Sequence, residues 1–441
     1  IACQWWANRG QPRYQIVAFD GAYHGDTFGA MAVGERNLFS APFEDKLFPV
    51  ARVPWPATWW DDDAVEAKES AALEVLERVL ETPTAAVILE PLLQGAGGMA
   101  MVRPEFLRQV EARTRQAGAL LIADEVLTGF GRCGDWFASR RAGIRPDLMA
   151  LSKGLTGGCL PMGVTMASEA VFEAFVGDDP CLTLWHGHSF TANPLGCAAA
   201  NASLDLLERN PAAFQQFEQR HRPHLERLAR HRKVQHPRLT GTVAGFDLVV
   251  EGSSGYLNPA GPKLKRLAME NGVFLRPLGQ VVYLLPPLCI SDAQLERCYS
   301  VLEQPSISSK AGGLRPRLNR RLDIGPGEAI GQRTLHHRLQ GTRVPDHFEV
   351  LPFQQQQRSP FRTLEHPLAG VVVHADRTQL LEPGLKRRER VLIQRDALRG
   401  QGGHQVANAR MCSESAHPPS NSATPASRGP GQAPPPTPAP G

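Results

Sequence analysis

Lys153 lies in Leu151-Ser-Lys-Gly-Leu-Thr-Gly-Gly158, a loop of small residues. Twenty-nine residues earlier the apolar run Ala119-Leu-Leu-Ile-Ala123 ends in Asp124-Glu125. A lysine amine forms a Schiff base with an aldehyde, and an acid at the end of a buried strand can hold a ring nitrogen protonated so that the ring accepts electrons. Together they are what pyridoxal phosphate chemistry requires. Each residue alone has an ordinary reading. A lysine among glycines is usually a solvated loop residue, and an aspartate after a strand commonly caps a helix. Order, spacing and company give the chemical reading its weight.

The elements that must position these residues follow from local pattern. Ala119–Ala123, preceded by Gly118, predicts a strand buried on both faces. Ala85-Ala-Val-Ile-Leu89 has the same form and also ends in an acid, Glu90. Between them, Pro104–Gln116 carries Phe106, Leu107 and Val110 at helical spacing. Such a βαβ unit makes the sheet parallel and gathers ligands beyond the carboxyl ends of its strands. Glu90 and Asp124 both stand at that edge, where an unpaired carboxylate is costly to bury and a protonated pyridine nitrogen is a natural partner. Gly95, Gly97 and Gly98 could cradle a phosphate, but room for close-packed backbone is the preferred reading. His24, His186 and His188 lack a second acidic or cysteine cluster at ligand spacing, so no metal site is expected.

Five blocks occur in order: Tyr23-His-Gly-Asp-Thr-Phe-Gly-Ala-Met31, Glu90-Pro-Leu-Leu-Gln-Gly-Ala-Gly-Gly98, Ala123-Asp-Glu-Val-Leu-Thr-Gly-Phe-Gly-Arg132, the Lys153 loop, and His186-Gly-His-Ser-Phe-Thr-Ala-Asn-Pro-Leu-Gly196. Over roughly residues 1 to 304 the chain thereby resembles the class III aminotransferases of pyridoxal phosphate fold type I. The resemblance implies an α/β fold: a large cofactor-binding domain with a mostly parallel sheet over 1–210, then a small α+β domain over 211–304. The blocks Asp26–Met31, Asn193–Ser203 and Gly272–Pro277 narrow it to a subgroup that passes an amino group from S-adenosylmethionine to 8-amino-7-oxononanoate, giving 7,8-diaminononanoate for biotin biosynthesis.

By this resemblance Lys153 is the Schiff-base lysine and then the general base of the proton shift, a role that burial beside the cofactor favours. Asp124 pairs with the pyridinium nitrogen, with Glu90 on the cofactor's side as well. Val126 packs on one ring face and Tyr23 stacks on the other. Ser189, where the subgroup can carry threonine, donates to the cofactor phosphate across the interface of a homodimer with shared active sites. Arg276 grips the substrate carboxylate through a bidentate pair. Asp26, Arg132 and Gly187 line the substrate mouth. Cys133 stands where the family often has threonine, a small change. Two alternatives stay open: another class III transferase acting on an ω-amino acid or diamine, and a catalytically incompetent fragment of such an enzyme.

Composition divides the chain. The eight cysteines are scattered without pairwise spacing, as expected of reduced thiols in a cytoplasmic enzyme. No apolar run approaches the roughly 18 residues of a membrane span. All seven Trp and five Tyr fall before residue 305. Residues 305–441 hold 19 Lys+Arg against 10 Asp+Glu and the preceding ones 29 against 34, so the overall +4 comes from the tail and does not imply an acidic partner. The tail lacks sustained periodicity beyond short apolar bits such as Val371-Val-Val373, and ends in a Pro/Ala/Ser/Gly run from Ser413. It is expected to be disordered. It reads as a translated frameshift or non-homologous extension; a nucleic-acid-binding tail competes, without aromatic interleaving to support it. The chain opens at Ile1 as if within a helix. The class places a long segment ahead of this point, including a Gly-Ser turn whose helix N-terminus binds the cofactor phosphate. The expectation is therefore a chain that is not competent as written.

Overall fold

A computed structural model describes residues 1–250 and 255–304, with the backbone of Val372–His374. All of these lie within one compact unit, Ile1–Ala375. The rest of the tail, and with it the expectation of disorder there, lies outside the described residues.

In chain order the elements are α1 (Ala2–Asn8), β1 (Gln15–Phe19), α2 (Phe28–Val33), β2 (Ala51–Val53), α3 (Val65–Leu80), β3 (Thr84–Leu89), β4 (Leu93–Gln94), β5 (Ala100–Met101), α4 (Pro104–Gln116) and β6 (Leu120–Asp124). There follow α5 (Ala138–Ala142), β7 (Leu148–Leu151), β8 (Val164–Ala167), α6 (Glu169–Glu173), α7 (Pro194–Glu208), α8 (Ala213–Ala229), β9 (Val234–Thr240), β10 (Val243–Leu248), α9 (Ala260–Glu270), β11 (Val281–Leu284), α10 (Asp292–Leu302) and β12 (Val372–His374).

The large sheet has the order β12-β8-β7-β6-β3-β1-β2. Neighbours run parallel except β7 and β8. β3 and β6 are short apolar runs because both their faces are covered, as the sequence predicts. α4, which connects them, begins with Pro104 where no amide partner is needed and carries Glu105 in its first turn and Arg113 and Arg115 in its last. Both placements suit the helix dipole. Its buried face of Phe106, Leu107 and Val110 packs with Leu76 of α3 and Val87 of β3. Burying each such side chain contributes about 1.5–3 kcal/mol. This is the predicted βαβ unit, and it fixes where β3 and β6 end.

A second, antiparallel sheet has the order β11-β10-β9. Phe246, Val282 and Leu284 of this sheet share a core with Leu225 of α8, Leu264 of α9 and Tyr299 of α10. The sequence places two of its strands at 245–250 and 281–285; the structure starts β10 two residues earlier. The cause is the tight turn at Gly241, φ +53°, where a β-carbon would strike the backbone of Cys133 and Gly134. The turn therefore sets the register of the hairpin and presses it against the loop that follows β6.

Candidate active site

The neighbours β7, β6, β3 and β1 end side by side, and the residues just past them are those singled out by type. Asp124 closes β6 and is buried. Its Oδ1 accepts from the Val126 amide at 3.0 Å, and its Oδ2 lies 2.7 Å from His24 Nδ1. His24 sits in the loop after β1, and its side chain is only 3% exposed. Glu90 follows β3 and is also buried, accepting from the amides of Tyr23 at 3.1 Å and Gly95 at 3.0 Å. Burial pushes its carboxyl up to about 7; His24 and the two amides oppose the shift and Asp124 adds to it. Both carboxylates at this edge thus have partners within the chain. Sequence reasoning noticed His24 only as a metal ligand to dismiss. The signal available was its place beside Tyr23, at the end of a strand adjoining the acids.

Glu125 turns away from this edge. It is fully buried, accepting from Thr128 Oγ1 at 2.6 Å and from the amides of Ala138 and Ser139 at the start of α5, 3.0 and 2.6 Å. Burial raises its pKa. The two adjacent acids thus divide the work, one facing the site and one anchoring the loop behind it.

Lys153 lies three residues past Ala150, the β7 residue paired with Asp124. It opens a 3-10 turn, Lys153–Thr156, with φ +40°, a conformation non-glycine residues seldom adopt and one that tends to persist at functional sites. The turn is held from three sides. Ser203 of α7 donates to Gly154 O at 3.0 Å, Ser152 to Met162 O at 2.7 Å and Thr156 to Leu160 O at 2.6 Å. A β-carbon at Gly154 would lie 2.9 Å from Phe130 Cβ. The lysine itself is exposed. The burial expected of it is not provided by the described residues; the turn presents the amine outward instead.

Tyr23 leaves 43% of its surface exposed and donates through its hydroxyl to Asp26 Oδ2 at 3.0 Å. That contact joins a cofactor candidate to a substrate candidate. Val126 is half-buried beside Asp124. The glycine cluster follows the preferred reading: a β-carbon at Gly97 would lie 2.5 Å from Gly21 O, and one at Gly95 would collide with Leu127. This loop is fastened by Arg238 of β9, a residue sequence reasoning passed over. Its guanidinium donates to Met99 O and Gly98 O at 2.8 Å each and pairs with Asp247 at 2.9 Å.

Arg132 is tied down as well. Its Nη1 donates to Thr242 Oγ1 at 2.8 Å and to Pro286 O at 2.7 Å, joining the loop after β6 to the second sheet. Arg276 is exposed and has no ion-pair partner among the described residues. Its charge reaches Tyr283, which lies in β11. Gly187 and Ser189 lie on an exposed segment with Trp185 and Phe190, 78% and 75% exposed. The structure therefore gathers Tyr23, Asp26, Glu90, Asp124 and Val126 by direct contact or sequence adjacency and sets Lys153 on the neighbouring strand end. It draws no described contact from Arg276, Gly187 or Ser189 to that group.

Comparison with known proteins shows the family. The family model for aminotransferase class-III matches residues 1–305. The adenosylmethionine-8-amino-7-oxononanoate aminotransferase of Synechococcus elongatus is 57% identical over 303 residues, 68% of this chain and 71% of that protein. The protein of the same name from Geobacter sulfurreducens is 39% identical over 332 residues, 71% of this chain and 72% of its own. Among solved structures, an amine transaminase from an uncultivated Pseudomonas species, in its pyridoxal-phosphate-bound form, superposes with a TM-score of 0.65 at 29% identity, covering 70% of this chain and 73% of that one. The adenosylmethionine-8-amino-7-oxononanoate aminotransferase of Methanocaldococcus jannaschii gives 0.61 at 29% identity, over 68% and 70% of the two chains. With a family match over residues 1–305 and a mostly parallel sheet whose strand ends carry Asp124 and Lys153, the chain belongs to the class III aminotransferases.

Proposed function

We infer that the protein uses pyridoxal phosphate to transfer an amino group from S-adenosylmethionine to 8-amino-7-oxononanoate, the biotin-pathway step that yields 7,8-diaminononanoate. The observation that carries the substrate pair is the 57% identity to the Synechococcus protein of that name. Fold likeness does not discriminate, because an amine transaminase superposes as well as an enzyme of that name.

The residues fit the cofactor on their own chemistry. A buried carboxylate with lone pairs to spare beyond the His24 and Val126 contacts suits a protonated ring nitrogen, and an outward amine on the next strand end suits an aldehyde. Bound there, the cofactor supplies the carbonyl that takes up an amine and the ring that stores the electron pair when a carbon–hydrogen bond breaks. Asp124 would hold the ring nitrogen of the bound cofactor, and Lys153 would hold its aldehyde and, with its amine free, serve as the base that carries a proton. Tyr23 offers a ring face and Val126 an apolar one. Arg276, free of ion pairs among the described residues, takes the carboxylate of the amino acceptor. Arg132 acts at the substrate mouth through the loop it fastens, with Asp26 and Gly187 nearby.

Ser189 reaches the phosphate of a second copy in a homodimer. Trp185, Phe190 and Leu195, all strongly exposed around it, support such a covered face. A division at residues 1–210 and 211–304 is supported by the three-stranded sheet β11-β10-β9 lying in the second part, although Val243 of that sheet packs into the core of the first. A cytoplasmic location is the reading we prefer, supported by cysteines that are free among the described residues.

The test is a two-stage assay of the full chain with pyridoxal phosphate. S-adenosylmethionine is expected to convert the cofactor to its amine form, and 8-amino-7-oxononanoate to convert it back with formation of the diamine. Turnover with ω-amino acids or diamines as donors, and none with S-adenosylmethionine, would replace this reading with the alternative transferase; no turnover with any donor would return the reading of a catalytically incompetent fragment.

A further inference from the structure

The turn that carries Lys153 takes its shape from elements far away in the chain. Lys153 at φ +40° and Phe130 at φ +58° both lie in the left-handed region. Such torsions are unfavourable for residues other than glycine and persist only where the surroundings over-determine them. The residue after the lysine, Gly154, has no side chain to restrict its own torsions. Its bare side faces Phe130, whose Cβ would lie 2.9 Å from an added β-carbon. Its carbonyl faces α7, where Ser203 Oγ donates to it at 3.0 Å from 49 residues away. The same oxygen accepts the Gly157 amide at 3.0 Å, so both its lone pairs are used. α7 meets the lysine loop along one face. A β-carbon at Gly196 would lie 3.2 Å from Met162 Sδ, Ala200 shares a core with Phe130, Leu151 and Leu155, and Ser203 follows at helical spacing. A serine inside a helix usually bonds back to its own helix or points to water; Ser203 donates outside its helix.

We propose that Ser203 is a positioning residue for Lys153: its hydrogen bond to the Gly154 carbonyl, with Phe130 packed on the bare side of that glycine, keeps the turn in the conformation that presents the amine. The proposal rests on the reading of Lys153 as the residue that takes the cofactor aldehyde. A lysine amine ends a flexible stem, so its aim depends on the backbone that sets the Cα–Cβ direction. Without Ser203 the Gly154 peptide is free to rotate, the left-handed φ of Lys153 relaxes, and the amine spends less time where a bound aldehyde would meet it. Ser152 and Thr156 cannot take over. They donate to Met162 O and Leu160 O, in the chain that continues directly from the turn, and those contacts move with it. Of the three hydroxyls, Ser203 is the one that ties the turn to a helix. A reacting side chain on a loop needs such support from a rigid element if its geometry is to be held.

The test compares Ser203→Thr with Ser203→Val in the full chain, since the two share a shape and differ in the hydroxyl; Ser203→Ala repeats the loss without added bulk. The first arm is amide exchange without cofactor, read by mass spectrometry over residues 153–159. Exchange there should quicken by about fivefold in Ser203→Val and Ser203→Ala, as expected for one lost hydrogen bond, and stay at the parent rate in Ser203→Thr. The second arm adds pyridoxal phosphate and borohydride and follows the adduct on Lys153 relative to adducts on the exposed Lys263. The ratio should fall by about fivefold in Ser203→Val and Ser203→Ala and be restored in Ser203→Thr. A purely structural serine would loosen the turn and leave this ratio alone, and that result overturns the proposal. Equal behaviour of Ser203→Thr and Ser203→Val in both arms overturns it as well. A parent chain that forms no adduct on Lys153 counts instead against the cofactor reading, and the exchange comparison then upholds or removes the hold of Ser203 on the turn.

Discussion

Asp124 is held at both oxygens, by the Val126 amide on one and the His24 imidazole on the other. Asp124→Asn would keep the shape and lose the charge. It is expected to retain cofactor but to lower turnover by about 10²–10³-fold, the range for removing one preorganised electrostatic contact. Lys153→Ala should abolish covalent trapping of the cofactor by borohydride; a trapped adduct in that variant would remove Lys153 from its role. For Arg276 the exposure of the side chain decides the size of the effect. A buried charged contact is worth about 2–5 kcal/mol, but a solvated one sits at or below the lower end. Arg276→Ala should then raise KM for the oxo acid by roughly 30-fold and leave the donor half-reaction alone. Arg276→Lys should recover only part, since an ammonium cannot form the fork. Unchanged KM would show that the carboxylate binds elsewhere.

At the scale of elements, the second sheet serves the site by fastening its loops. Arg238 of β9 holds the carbonyls of Gly98 and Met99, and Thr242 at the start of the next strand meets Arg132. The glycine loop cannot be fastened by its own side chains, because it has none where Gly21 and Leu127 approach. Arg238→Ala removes the donor to the carbonyls of Gly98, Met99 and His236 and leaves Asp247 with His236 alone. It should cost about 3 kcal/mol in urea unfolding, the lower end for breaking a buried pair. Amide exchange over residues 95–101 should rise with it. Full stability with unchanged exchange would mean that the loop holds itself. βαβ geometry around α4 was legible beforehand, since apolar period and Pro104 mark it locally. The short pair β4 and β5 was not, because two-residue strands have no period to read.

For the whole molecule, two buried groups pull stability in opposite directions with pH. His221 is fully buried against Tyr299, 2.6 Å from its hydroxyl, and burial lowers its pKa to about 4. Unfolded, it takes up a proton near 6.5, so its contribution is complete above that value and is lost as pH falls toward 4. Glu90 is the reverse case. Its folded value of about 7 exceeds the unfolded 4.5, so its contribution is complete below 4.5 and is lost as pH rises through 7. Each is worth about 3 kcal/mol over its window, and the two offset each other between 4.5 and 6.5. Relative to the parent, His221→Phe should therefore lose stability with rising pH, and Glu90→Gln with falling pH, across that interval. Urea unfolding at several pH values measures both slopes. Slopes equal to the parent's in both variants would mean that neither group is linked to folding.

What the sequence determined by itself was the set of chemical groups and the strand ends that carry them. Asp124 and Glu90 follow apolar runs whose burial is a local property, so their position at a sheet edge could be read without coordinates, whereas Lys153 was legible only as a lysine in a small-residue loop. Which of those groups meet was decided only by the tertiary structure. His24 lies 100 residues from Asp124, and their contact depends on β1 entering the sheet beside β3, with β6 on the other side. Local periodicity carries no information on that order; it results from long-range packing that must repay the entropy of closing the loops between strands. The same holds for Lys153 facing outward, for Glu125 turning inward, and for Arg132 reaching Thr242 across the chain. A residue's type states what it can bind, and the sheet order states what lies within reach.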